Sequence, residues 1–243
     1  MRQELFSVPI TVGDRESVIE ECRALVGTGG VVFTANALML ERARKEPSFA
    51  RTLASADVVS VDGVGVLRAL EKAGVKSELL PGVELGEIIL SEGAPSLAVI
   101  GGRDGVAELA FSYLKVRNPR IRQSFVISGY GHSEEEYLAL LRRHRPKICL
   151  VCLGSPRQEF FSLSASRESP KTLFFALGGS LDIYSGRLRR APANIRALRL
   201  EWLYRMVREP RRFAVIPRLL SFAIASHREK GAKNQQKSHI AEG

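Results

Sequence analysis

Little in this chain could hold a metal or a disulfide framework. Only three of its 243 residues are cysteine (Cys22, Cys149 and Cys152). So sparse and odd a set excludes a disulfide-stapled scaffold and fits a reducing compartment. Cys149 and Cys152 have the spacing of a redox or zinc pair. They fall, however, inside the apolar run ICLVCL, where residues three apart point to opposite faces of a strand, so two buried core thiols are expected. The four histidines, His132, His144, His227 and His239, show no metal-ligand spacing, and no Asp-x-Asp pair is present. No metal site, and no metal-clamped sugar nucleotide, is therefore expected. The chain has no run of about 18 uncharged apolar residues, so no membrane-spanning helix is expected. Its first residues, MRQELFSVPITVGDRE, lack the apolar stretch of a secretory leader, so no signal peptide and a cytoplasmic location are expected. Also missing are a GxxxxGK[ST] phosphate loop and a GxGxxG fingerprint, which argues against an ordinary NTPase and a dinucleotide-dependent oxidoreductase.

What is present is a globular composition, 45% hydrophobic and 26% charged, enough for a sizeable core. The charge is unevenly placed. Residues 1–186 carry 22 Lys and Arg against 22 Asp and Glu, whereas residues 187–243 carry 14 against 4. All of the net +10 charge therefore sits in the last 57 residues. A neutral body with a basic end calls for an anionic partner: membrane lipid, nucleic acid or a polyphosphate. A merely solvated basic face is the plainer alternative.

Along the body, short apolar runs bounded by glycines alternate with amphipathic stretches. Strands are expected at Val31–Phe33, Asp57–Val61, Ser96–Ile100, Phe125–Ser128, Ile148–Leu153 and Leu173–Leu177. Helices are expected over Asp14–Val26 and Asn36–Lys45 (closed by Pro47), after Asp62-Gly63, from Asp104, from Ser133 with Glu136 completing a capping box, and from Gly154–Glu159. This repetition predicts an α/β fold, a mostly parallel sheet with helices on both faces. Such a fold puts ligands at the carboxyl ends of its strands. Thr34, Asn36, Asp62, Gly101, Gly102, Gln158, Glu159 and Asp182 all fall there. A diphosphate suits the helix N-termini that open at those ends. The Gly101-Gly102 turn is equally well read as a purely structural tight turn. Asp62 can be a general base or a helix or turn cap.

After Arg196 the pattern changes. Ile195, Leu198, Trp202, Leu203, Met206 and Val207 recur at helical spacing among Arg196, Arg199, Arg205, Arg208, Arg211 and Arg212, the signature of an interfacial amphipathic element. The division expected is a core over 1–192, a helical membrane-docking appendage over 193–227 and a disordered polar tail over 228–243. With the sheet complete by Leu177, the core is expected to fold without the appendage.

Several segments together resemble the WecG/TagA/CpsF glycosyltransferases. They are Val61-Asp-Gly-Val-Gly65, Cys152-Leu-Gly-Ser-Pro-Arg-Gln-Glu159, Ala176-Leu-Gly-Gly-Ser-Leu-Asp-Ile-Tyr-Ser-Gly-Arg-Leu-Arg-Arg-Ala-Pro192 and Leu200-Glu-Trp-Leu-Tyr-Arg-Met-Val-Arg-Glu-Pro-Arg-Arg212. The resemblance runs from about Thr11 to Arg212. It implies a Rossmann-like core with a C-terminal basic appendage. It also implies an inverting, metal-independent enzyme that needs no cofactor and moves an N-acetylmannosamine-like sugar from a UDP-sugar donor. The acceptor would be a polyprenyl-diphosphate-linked sugar, in cell-surface polysaccharide or teichoic acid synthesis on the inner face of the membrane. By this resemblance Asp62 is the base, Thr34, Asn36 and Gln158 line its pocket, and Asp182 lies near the nucleoside. Arg205 and Arg212 close over the diphosphate. The sequence departs where the family has Arg-Val-x-Gly-x-Asp: here the segment reads Leu79-Leu-Pro-Gly82-Val-Glu84, and Val215 replaces a third appendage arginine, with Arg218 close by.

Chemistry agrees with the resemblance. A single displacement needs one base, and without a metal the leaving UDP needs arginine or N–H donors. Three rivals stand beside this reading. A nucleic-acid binder using the basic end would want a basic stripe that the neutral body lacks, so no nucleic acid is expected. An unrelated nucleotide-binding enzyme would want a fingerprint the chain lacks. A non-catalytic scaffold would have no need of Asp62 and Gln158. An anionic membrane surface is the expected partner, and homo-oligomers are left open.

Overall fold

A computed structural model of the chain describes residues 1–93 and 95–241, with side chains described as far as Arg228. An antiparallel hairpin, β1 (Arg2–Leu5) and β2 (Val8–Thr11), opens the chain. Its turn places Phe6 and Ser7 at φ 52° and 60°, without the Asn-Gly pair that marks such turns. The sequence therefore carries no hairpin signal at this turn.

The remaining elements follow in order: α1 (Arg15–Ala24), β3 (Gly30–Ala35), α2 (Ala37–Lys45), α3 (Pro47–Ala54), β4 (Val58–Val61), α4 (Val64–Lys72), α5 (Gly82–Ser91), β5 (Ser96–Gly101), α6 (Val106–Arg117), β6 (Arg122–Ile127), α7 (Glu134–His144), β7 (Ile148–Cys152), α8 (Arg157–Glu168), β8 (Leu173–Ala176) and α9 (Ser180–Tyr184). The six strands β3 to β8 pair in parallel in the order β4-β3-β8-β7-β5-β6. All six lie where the glycine-bounded apolar runs put them. Pro47 separates α2 from the following segment, as expected, but then serves as the first residue of α3, where its missing N–H costs nothing. Helix α5, opening on Pro81-Gly82, was not foreseen.

The strands are apolar throughout and their side chains divide by alternation. Val31, Phe33, Ala35, Val59, Val61, Ile100, Cys149, Val151 and Phe174 join Leu40, Phe49, Leu67, Tyr137 and Phe161 in one core layer. Val32, Val58, Leu97, Val99, Leu150, Cys152, Leu173 and Phe175 join Ile19, Leu85, Ile89, Phe111, Leu114 and Tyr184 in the other. This is the strand period of two with both faces covered. It also disposes of the Cys149-x-x-Cys152 spacing, since the two thiols lie in different layers and all three cysteines are free and buried.

Beyond α9 the chain forms α10 (Ala193–Ala197), α11 (Glu201–Arg208), a 3-10 turn over Pro210–Val215 and α12 (Ile216–Ala241). The backbone is thus helical to Ala241; residues 242–243 of the expected polar tail lie outside the described residues. The appendage is not separate from the core. Met206 and Phe222 are buried, and the Phe222 ring meets Phe6 edge-on at 5.6 Å. Arg44 Nη2 donates to Ser221 Oγ at 3.3 Å. Removing everything after Arg196 would bare this contact, so the expectation of an independently folding core has to reckon with a docked α12.

Candidate active site

The carboxyl ends of the parallel strands carry the candidate residues in one row. Asp62 follows β4, Thr34 lies near the end of β3 with Asn36 just beyond it, Gly178 and Gly179 follow β8, Gln158 opens α8 after β7, and Gly101 ends β5 with Gly102 next. At about 4.8 Å per strand step, β5 lies roughly 19 Å from β4, so these residues do not all surround one point.

Asp62 is held from two sides. Its N–H donates to the Ala35 carbonyl at 3.0 Å, and its Oδ1 accepts from the Gly82 N–H at 2.7 Å. It therefore caps α5, a helix twenty residues on, rather than the α4 helix that follows it, whose N-cap is Gly63. Oδ2 has no hydrogen bond among the described residues and is left for proton transfer. Burial of the carboxylate pushes Asp62 up to about 6, against the Gly82 N–H and the positive charges of Arg205 and Arg190, which pull it down, while Glu201 adds to the rise. A carboxylate poised there is a competent base near neutral pH.

Thr34 is buried on β3, opposite Ser60 in register. A side chain on Gly82 would stand 2.9 Å from Thr34 Oγ1, so Gly82 brings Thr34 and Asp62 to the same backbone segment. Asn36 spends its carboxamide oxygen on capping α2, accepting from Leu38 and Met39 N–H at 3.0 and 3.1 Å. Gln158 and Glu159 are both buried. Gln158 Nε2 donates to Glu159 Oε1 at 2.7 Å, and Gln158 Oε1 accepts from Gly154 N–H at 3.2 Å. A Cβ on Gly178 would come within 2.5 Å of Gln158 Oε1, so the glycine makes room for that amide. Glu159 Oε2 has no partner among the described residues, and burial raises the group.

Gly101 and Gly102 take φ of 140° and 71°. A Cβ on Gly101 would run into the Cys152 carbonyl, and Gly129 N–H donates to Gly102 O at 2.8 Å. The structure gives this turn a packing reason of its own. Asp182, in the first turn of α9, lies close enough to Cys152 for its charge to help raise that thiol, second to burial. It belongs to the β7 side of the row, away from Asp62. Arg205 on α11 reaches the edge, with Nη2 3.7 Å from where a Gly179 Cβ would sit. Arg212 does not show such a contact: its Nε donates to Glu209 Oε2 at 2.9 Å within its own segment.

Two residues that sequence reasoning passed over stand beside Asp62. Arg190 lies in the quoted Leu188-Arg-Arg-Ala-Pro192 segment and Glu84 was noted only as a departure. Arg190 Nη2 bonds Glu84 Oε1 at 2.8 Å. Arg15, at the start of α1, bonds the Leu79 carbonyl at 2.7 Å and Glu84 Oε2 at 2.8 Å. It thereby brings a guanidinium to the segment whose own arginine is replaced by Leu79. Two shallow cavities, of about 240 and 450 Å³, lie elsewhere, one against Arg23, Lys147 and Ile148, the other between α5 and α6 at Glu87, Leu114 and Arg117. Neither has a residue of this row in its lining.

Compared with models of known protein families, the chain matches that of the glycosyl transferase WecG/TagA/CpsF family over residues 3–236.

Proposed function

Because the chain belongs to the WecG/TagA/CpsF family of glycosyl transferases, we propose that it moves an N-acetylmannosamine-like sugar from a UDP-sugar to a polyprenyl-diphosphate-linked acceptor sugar at a membrane surface, in polysaccharide or teichoic acid synthesis. The observation that carries this reading is Asp62: one oxygen is fixed by Gly82 N–H, the other is free, and desolvation raises the group to about 6. In the proposed step Asp62 Oδ2 takes the proton of the acceptor hydroxyl as that oxygen attacks the anomeric carbon. The bond to the diphosphate oxygen breaks, its electron pair leaves with UDP, and the anomeric configuration inverts. Arg205 and Arg190 supply positive charge to the departing diphosphate. Thr34 and Gln158 shape the pocket floor, and Asp182 stands toward the nucleoside end.

The membrane part of the proposal rests on exposed apolar side chains. Leu198, Leu200, Trp202, Leu203, Val207, Phe213, Leu220 and Ile224 are all exposed within one basic stretch. Among the described residues no helix is long and apolar enough to cross a membrane, so docking would be interfacial.

The test is to incubate the purified chain with a panel of UDP-sugars and a lipid-diphosphate-linked N-acetylglucosamine acceptor, and to weigh the product by mass spectrometry. Gain of one N-acetylhexosamine residue, undiminished by EDTA, is expected. No product with any donor, or activity lost to EDTA and restored by Mg²⁺ or Mn²⁺, would contradict the reading.

A further inference from the structure

A second charge cluster lies next to the base, around Glu84. Arg15 Nη2 and Arg190 Nη2 each stand 2.8 Å from its carboxylate, and Arg196 Nη1 stands at 3.5 Å. Glu201 Oε2 adds a longer contact to Arg190 at 3.6 Å. The three arginines come from the start of α1, the segment after α9, and α10, so widely separated parts of the chain converge on one carboxylate. With Asp62 and Arg205 counted beside them, four cations face three carboxylates, which leaves a surplus of positive charge.

The donors are also incompletely used. The Nε atoms of Arg190 and Arg196 are buried with no partner among the described residues. A buried guanidinium N–H without an acceptor costs stability, and a cluster serving the fold alone would satisfy both. Glu84 lies in the first turn of α5, two residues after the Gly82 N–H that holds Asp62. The cluster and the base are thus fixed by the same helical turn, whose N-terminal end favours an anion. Burial would raise Glu84, but the hydrogen bonds from Arg190 and Arg15 outweigh it and keep the carboxyl below its usual value. Its side chain is 24% exposed, so it can swing out without disturbing the core.

We propose that Arg190, Arg196 and Arg15 form the subsite for a substrate diphosphate, and that the Glu84 carboxylate is its internal occupant, displaced when the diphosphate binds. This rests on the proposed transfer, in which the diphosphate leaves from the face of the sugar opposite the hydroxyl that Asp62 deprotonates. Guanidinium groups match diphosphate oxygens because each fork can donate two parallel hydrogen bonds. An incoming diphosphate carries more charge and more acceptors than one carboxylate, so it can also engage the two unused Nε donors. The donor nucleotide and the acceptor lipid share this chemistry.

Titration calorimetry on the full chain separates the outcomes, with UDP, farnesyl diphosphate and inorganic pyrophosphate as probes. Glu84→Gln should bind pyrophosphate roughly fivefold or more tightly, since the competing charge is gone, and Arg190→Gln at least about tenfold more weakly. Preference for UDP assigns the subsite to the donor, and preference for farnesyl diphosphate assigns it to the acceptor. Pyrophosphate binding that responds to Glu84→Gln, with no UDP binding, would keep the subsite and overturn the UDP-sugar reading. Unchanged pyrophosphate affinity in Glu84→Gln and Arg190→Gln, or no binding of any probe, would overturn the subsite itself. Should Arg190→Gln fail to fold by circular dichroism, Arg196→Gln and Glu84→Gln decide the matter by the same affinities.

Discussion

Desolvation raises Asp62 to about 6 in the folded chain, against 3.8 for an ordinary aspartate. Two consequences follow at the residue scale. A base must be unprotonated, so kcat/KM should climb as pH rises through about 6 and level off above about 7. A profile flat from pH 5 to 8 would remove Asp62 from the proton transfer. Stability should move the other way. Between about pH 4 and pH 6 the folded chain holds a proton that the unfolded chain has lost, so stability falls as pH rises through that window. Asp62→Asn, which can still accept from Gly82 N–H, should therefore be more stable than wild type at pH 8, by on the order of 2 kcal/mol. The difference should vanish near pH 4. Equal melting temperatures at pH 8 would mean that the carboxylate is better solvated than its surroundings indicate. Asp62, Thr34 and Gln158 stand out as candidates in the sequence because each lies at a strand end or a helix start. The Glu84 cluster does not. Its members are spread from residue 15 to residue 201, and only the packing of α1, α5, α10 and α11 with the segment after α9 brings them together.

Among the elements, the six parallel strands were readable because each is a short apolar run, buried on both faces and set off by glycine on at least one side, between amphipathic stretches. The hairpin of β1 and β2 escaped because Phe6 and Ser7 make its turn without glycine or asparagine. Helix α5 escaped because Leu79-Leu-Pro-Gly82 reads as a loop, while its first amide is satisfied by Asp62 from another element. The Gly101-Gly102 turn had two readings, and the structure favours packing. Gly101→Ala would force a Cβ into the Cys152 carbonyl at a φ of +140°. It should cost roughly 2–4 kcal/mol, a fall of about 10 °C in melting temperature. An unchanged melting temperature with lost activity would instead make this turn a ligand contact.

For the whole molecule, the segregated charge was plain in the sequence, but its division of labour was not. Helix α12 turns Phe222 and Ser226 into the body and leaves Leu220 and Ile224 outside. A periodicity of apolar residues alone cannot say which side meets protein and which meets water. Membrane docking is therefore best probed without truncation. Leu220→Glu with Ile224→Glu should keep the fold, since both side chains are exposed, and should reduce flotation with anionic vesicles several-fold. High salt should weaken binding of the wild type as well. Equal flotation of the variant and the wild type would move the membrane contact elsewhere. The central claim about the molecule is that one carboxylate, Asp62, acts as the base of a sugar transfer. Turnover of Asp62→Asn, followed by mass spectrometry on the lipid-linked acceptor with UDP binding measured alongside, tests it most directly. A loss of about 10²-fold or more is expected, with UDP affinity and fold intact; near-normal turnover by the variant would rule Asp62 out as the base.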